Sequence, residues 1–149
     1  RLTKKLYEIG YNISGLDFSP EMCRIAQEKM PKARLFCFDF SQGLPDVLKD
    51  KRFDIILSSY AFHHVPDSLK HERILEWYSV LNPGGMMLIG DIAFLNEHAL
   101  TLCKGDVGGE WDENEDYMVF SSLQPAIAHL SPKYEQVSHC AGVLTIFKA

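Results

Sequence analysis

The sequence predicts an α/β domain built on a mostly parallel sheet, and three observations carry that expectation. Short apolar runs that stop at polar residues alternate with segments of helical period. Three strand-helix alternations follow one another, as parallel strands joined by crossover helices require. The last two apolar runs, Tyr134 to Cys140 and Gly142 to Phe147, are joined tightly enough to be an antiparallel pair. With 149 residues, 46% hydrophobic and 23% charged, the composition is that of an ordinary globular protein. A chain of this length buries roughly two thirds of its unfolded surface, so one core needs no disulfide or metal staple.

Each element has its own signal. Arg1 to Ile9 is helical text with no capping residue ahead of it, which leads us to expect residues before Arg1. Asn12 to Asp17 forms a strand that runs into a helix, because Ser19 is a capping residue and Pro20 suits the first helical position. Met22, Ile25, Ala26 and Met30 recur at helical spacing, and Pro31 ends that helix. Ala33 to Phe38 is the second strand. Phe53 to Ser58 is the third, almost continuously apolar as a strand buried on both faces is. A helix over Ser68 to Leu81 meets the turn Asn82-Pro83-Gly84-Gly85, and Met86 to Ile89 begins a fourth strand continuing towards Asp91 and Phe94. Beyond it come a helix over Glu97 to Lys104, a loop rich in Gly and acids from Gly105 to Asp116, and a helix over Ser122 to Leu130. No linker or repeat divides residues 1–149, so a single domain is expected.

Charge and composition exclude several function classes. Fifteen Lys and Arg against twenty Asp and Glu leave a net charge of -5, with no cation excess to neutralise a nucleic-acid backbone. No run approaches the roughly 18 apolar residues of a membrane span, and no signal-peptide core opens the chain. The expected compartment is the cytoplasm, and Cys23, Cys37, Cys103 and Cys140, with no C-x-x-C spacing, read better as free buried thiols than as disulfides, although their even number leaves pairing open. Asp112-x-Asn114-x-Asp116 superficially suggests a calcium loop, but Tyr117 and Leu123 stand where glycine and glutamate are needed. No metal ligand is assigned.

In open parallel sheets ligands bind beyond the carboxyl ends of the strands, and here those ends are polar. Asp17 is placed to accept two ribose hydroxyls at once, although an acid can also simply end a strand. Asp39 can take an adenine amine with Phe40 offering an apolar face, or Phe40 can be core packing. Ser58 and Ser59 can line the same ligand through their carbonyls, or be small buried strand-end residues. His63 and His64 are the only pair at a strand end that titrates near neutral pH, and His64 is the candidate general base. The alternative is that one ring packs and the other caps a loop. Tyr60 can shape the acceptor pocket or be only a wall, and Asp91 can meet a substrate amine or simply end its strand.

These residues resemble a known family. Gly15-Leu16-Asp17-Phe18-Ser19-Pro20-Glu21-Met22 looks like the second strand and ribose-binding acid of the class I S-adenosylmethionine-dependent methyltransferases. Phe38-Asp39-Phe40 is similar to their adenine-contacting segment. Phe53 to Val65, with Ser58-Ser59-Tyr60-Ala61-Phe62-His63-His64, resembles the fourth-strand motif of small-molecule members, closest to bacterial methyltransferases of the YrrT type. Leu81-Asn82-Pro83-Gly84-Gly85 resembles the turn before their fifth strand. The resemblance implies a Rossmann-like doubly wound sheet, S-adenosylmethionine as cofactor, and Asp17, Phe18, Asp39, Phe40, Ser58 and Ser59 as its contacts. It also implies a small-molecule methyl acceptor. The family's glycine-rich first motif has no counterpart in these residues. Its absence predicts unpaired edges on the strands ending at Asp17 and at Ser58. Two other readings stay open: a non-catalytic binding or assembly module on a degenerate fold, and a nicotinamide-dependent oxidoreductase, whose ribose Asp17 would equally suit.

Overall fold

The computed structural model describes residues 2–149 and divides into two compact units, one ending at Pro45 and one spanning Asp46–Ala149. In the first, a short helix α1 (Leu2–Glu8) precedes β1 (Ser14–Asp17), α2 (Pro20–Lys29) and β2 (Arg34–Cys37). Strands β1 and β2 pair in parallel, with Asp17 opposite Cys37. Helix α2 starts as its sequence dictates. Ser19 adopts an extended backbone, its side chain accepts the Met22 N–H, and Pro20 occupies the first turn, where its missing N–H costs nothing. Met30, Ala33, Phe40 and Leu44 are the buried apolar side chains of this unit.

The second unit holds α3 (Asp46–Lys49), β3 (Phe53–Ser59), α4 (Asp67–Ser79), β4 (Leu81–Phe94), α5 (Glu97–Val107), β5 (Met118–Val119), α6 (Phe120–Ile127), β6 (Lys133–Ser138) and β7 (Ala141–Phe147). Its sheet runs β3-β4-β7-β6, with β5 attached to β4. β3 and β5 are parallel to β4, whereas β7 is antiparallel to both β4 and β6. Along β4 alternate residues Met87, Ile89, Asp91 and Ala93 are buried, the period of a half-buried strand. Lys70, Ile74 and Trp77 supply the buried stripe of α4 at helical spacing.

Among the described residues β1 and β3 each have a single partner, the two unpaired edges that the sequence predicts. Other expectations are corrected. β3 is consequently not buried on both faces, and Ile55 is substantially exposed. The Asn82-Pro83-Gly84-Gly85 turn is a bulge inside β4, where the register against β3 moves from Phe53–Leu81 to Ile55–Met86. Gly84 takes a positive φ of 77° there. A Cβ on Gly85 would lie 2.8 Å from the Asn82 carbonyl and 3.0 Å from that of Asp54, so both glycines are needed. β5, two residues long, is too short to leave a periodic signal. The thiols are also not all free. Cys103 in α5 and Cys140 beside the β6–β7 turn are disulfide-bonded across 37 residues, while Cys23 and Cys37 are free. No helix among the described residues is long and apolar enough to cross a membrane.

Candidate functional site

In the first unit, the parallel pairing of β1 and β2 puts Asp17 and Asp39 at the same end of the two-stranded sheet. The Phe38 N–H donates to the Asp17 carbonyl at 2.9 Å. The Asp17 carboxylate accepts the Ser19 N–H through Oδ1 at 2.9 Å, a local turn that orients the group beyond the strand. Phe18 beside it is 56% exposed. Asp39 caps the following 3-10 turn, taking the Ser41 N–H through Oδ1 at 3.0 Å and the Gln42 side-chain amide through Oδ2 at 3.1 Å. Phe40 is buried, so the exposed aromatic face at this strand end belongs to Phe18. The Cys23 thiol sits behind Asp17, and burial, followed by Cys37 and Asp17, pushes its pKa up.

In the second unit, Ser58 and Ser59 end β3 opposite Ile89 and Gly90 of β4. Tyr60 follows with φ of 51°, a left-handed conformation unusual for a residue with a side chain. Its N–H donates to the Gly90 carbonyl at 2.9 Å, and its ring is exposed. The chain then winds through a 3-10 turn, Phe62–His64, which is held by a group that sequence reasoning left undecided. Asp91, 2% exposed, accepts the Phe62 N–H at 2.6 Å and the His63 N–H at 3.1 Å through Oδ2. Its Oδ1 accepts the Ile92 N–H at 2.7 Å and meets His63 Nδ1 at 2.6 Å. A buried carboxylate needs such a set of donors. The His63 imidazole is thereby fixed by its Nδ1, the arrangement that leaves Nε2 as the basic nitrogen of the neutral ring.

The acidic loop closes on this turn. Asp116 donates its N–H to the His63 carbonyl at 3.1 Å, and its Oδ2 accepts the Asp67 N–H at 3.3 Å. Buried Lys70 donates to the carbonyls of Val65 and Asp116 and pairs with Asp67 at 3.0 Å. Glu115 thus lies beside the turn and meets His64 Nδ1 at 3.0 Å. The rings of His63 and His64 have centroids 4.2 Å apart. Tyr117 packs 6.2 Å from His63 and edge-on to Trp111 at 4.5 Å. Burial, with the carboxylates of Asp112 and Glu115 adding to it, raises the Tyr117 phenol pKa, so it holds its proton at neutral pH. The chemistry available here is proton transfer or ligation by two imidazoles, each backed by a carboxylate.

Asp91 is a candidate by its place in the fourth strand, but it lies inside β4, and its partners 28 and 29 residues away are announced by nothing local. Glu115 belongs to a loop that reads as solvated.

The profile of the methyltransferase domain family matches residues 1–89. An uncharacterized methyltransferase of Anoxybacillus flavithermus is 39% identical over 132 residues, covering 87% of this chain and 61% of the relative. The chain spans between 45% and 61% of the length of the first curated relatives that it matches. Among solved structures, the N-methyltransferase NodS of Bradyrhizobium japonicum, in complex with S-adenosyl-L-homocysteine, superposes with a TM-score of 0.68. It is 12% identical, with 98% of this chain and 71% of that one covered. The 1,6-didemethyltoxoflavin N1-methyltransferase of Burkholderia thailandensis, with bound 1,6-didemethyltoxoflavin and S-adenosylhomocysteine, superposes with a TM-score of 0.66 at 18% identity, covering 100% of this chain and 66% of that one. At such identities the likeness is one of fold, the Rossmann-like fold of class I methyltransferases. With the family profile matched over more than half its length, the chain belongs to the methyltransferase domain family.

Proposed function

We propose that this chain takes part in methyl transfer from S-adenosylmethionine to a small-molecule acceptor. The observation that carries the reading is the pair of adjacent strand ends at Asp17 and Asp39, with the exposed Phe18 ring beside them. The residues fit an adenosyl group. Asp17 uses Oδ1 on its own backbone turn, so Oδ2 is left to accept a ribose hydroxyl, and Phe18 supplies an apolar face for a base. Asp39 accepts the Ser41 N–H and the Gln42 side-chain amide through its two oxygens, and an acceptor-only carboxylate at this strand end suits an exocyclic amine.

The cofactor supplies an electrophilic methyl on sulfur, whose transfer forms a bond to the acceptor's lone pair as the carbon–sulfur bond breaks. The chain's own groups then have two tasks. Asp17, Phe18 and Asp39 bind and orient the adenosyl group, since alignment supplies most of the rate in such a displacement. His64, with Glu115 on its Nδ1, takes the proton of an O–H or N–H acceptor, and the neighbouring His63–Asp91 pair shapes the same turn. A net charge of -5 favours a small acceptor over a polyanion. Equilibrium dialysis against labelled S-adenosylmethionine, with NADH as competitor, tests the reading. Retention that NADH does not displace supports it, and retention of NADH instead supports an oxidoreductase.

A further inference from the structure

We propose that His63, His64 and Glu115 form a binding site for a divalent transition ion of the zinc class, with Asp91 as the outer carboxylate that orients His63. One donor atom from each of the three residues lies within 4.8 Å of the others, so movements of about an ångström bring them to a common ion. The donor set is two imidazoles and one carboxylate. That set suits borderline metals and leaves coordination positions open to a ligand, as catalytic rather than structural zinc sites do.

Three further features suit an ion better than a pair of ordinary surface histidines. The Asp91 contact to His63 Nδ1 at 2.6 Å reproduces the carboxylate–imidazole relay that fixes the tautomer of metal-bound histidines and leaves Nε2 as the nitrogen with a lone pair. Asp91 already accepts three backbone N–H groups, so the fold does not need His63 to satisfy it. Glu115 is not held by His64 alone. Its neighbour Asp116 is pinned to His63, Asp67 and Lys70, which keeps the carboxylate at the mouth of the turn. The donors are reachable without being fully solvated, with side-chain exposures of 13% for His63, 38% for His64 and 23% for Glu115.

Only the use of the ion rests on the methyltransferase reading. Its open positions would take an oxygen, nitrogen or sulfur of the acceptor and lower the pKa of the attached proton, replacing an imidazole lone pair in that task. Binding itself is independent of any cofactor, so its failure and that of the methyl-transfer reading are separately visible.

The test is titration of the metal-free chain, unreduced so that Cys103 and Cys140 stay bonded, with Zn2+ by calorimetry and with Co2+ by visible absorption. The expected result is one equivalent bound at micromolar concentration or tighter, and a cobalt spectrum without a thiolate charge-transfer band. His64→Ala and Glu115→Gln should each weaken zinc by tenfold or more, and both replace partly exposed side chains with little demand on folding. His139→Ala, beside the disulfide in the other donor cluster (Cys103, His139, Cys140), should change nothing. The proposal is overturned by no stoichiometric binding, by affinity unchanged in both His64→Ala and Glu115→Gln, or by a thiolate band or a loss confined to His139→Ala.

Discussion

Two aspartates in this molecule, Asp17 at the end of β1 and Asp91 inside β4, are used in opposite ways. At the end of β1, Asp17 is half-exposed and its carboxylate accepts from its own backbone two residues on. Within β4, Asp91 is 2% exposed and gathers groups from a turn 28 and 29 residues earlier in the chain. The first arrangement leaves a carboxylate facing outward with capacity to spare, as a ligand-binding group needs. The second consumes the carboxylate to build a turn and to hold the imidazole that the turn carries. Identical residues in similar sequence settings thus have different tasks, decided by what else the fold brings to them.

Truncating each acid breaks the comparison most sharply. Asp91→Ala strips acceptors from buried N–H groups and from His63, and should cost about 2–5 kcal/mol in a urea unfolding series. Asp17→Ala loses one partly exposed acceptor and should cost about 0.5–1.5 kcal/mol. Equal losses would remove the distinction.

The next effect concerns two glycines. At Gly85 an added Cβ meets backbone carbonyls at 2.8 and 3.0 Å, whereas at Gly15 in β1 it meets the Leu35 side-chain terminus at 2.9 Å. Gly85→Ala should therefore lower stability by about 1–3 kcal/mol, and Gly15→Ala by less, since a side chain can turn away where a strand backbone cannot. Thermal midpoints of the two variants check the order.

How far each region is legible follows from the range of its contacts. The Ser19–Pro20 cap, the α2 and α4 stripes and the terminal antiparallel pair depend on neighbours within a few residues, and their boundaries fall within about two residues of expectation. Helix α5 runs three residues beyond Lys104, because Gly105 faces open space and tolerates the helical backbone. The strand-end acids were legible as positions but not as roles. Asp39 turns its oxygens to Ser41 and Gln42, and Phe40 turns inward while Phe18 does not. The Cys103–Cys140 bond and the Glu115–His64 contact join segments 37 and 51 residues apart, with no periodic trace of either.

A smaller effect is a pH dependence in the second unit. Burial pushes the Tyr134 phenol up to about 12, with its hydroxyl bonded to Gln136 and its ring stacked on Phe120 at 5.0 Å. A phenol raised in the folded state favours folding while it stays neutral. Its contribution is therefore complete below the unfolded value near 10 and disappears as the pH rises towards 12. Unfolding midpoints should fall across that interval, and Tyr134→Phe should flatten the fall. The smallest expected change in stability is that of Asp17→Asn, within about 0.5 kcal/mol, because the amide oxygen still accepts the Ser19 N–H.

That last variant also gives the most direct test of the cofactor reading, since it spares the fold and alters only the outward-facing carboxylate. The measurement is calorimetric titration of S-adenosylhomocysteine into the full product of the gene that encodes this chain, as the natural sequence and as Asp17→Asn. Binding by the natural sequence, weakened at least about tenfold by the substitution with an unchanged unfolding midpoint, is the expected result. No binding up to millimolar ligand, or equal affinity for both proteins, would contradict the account.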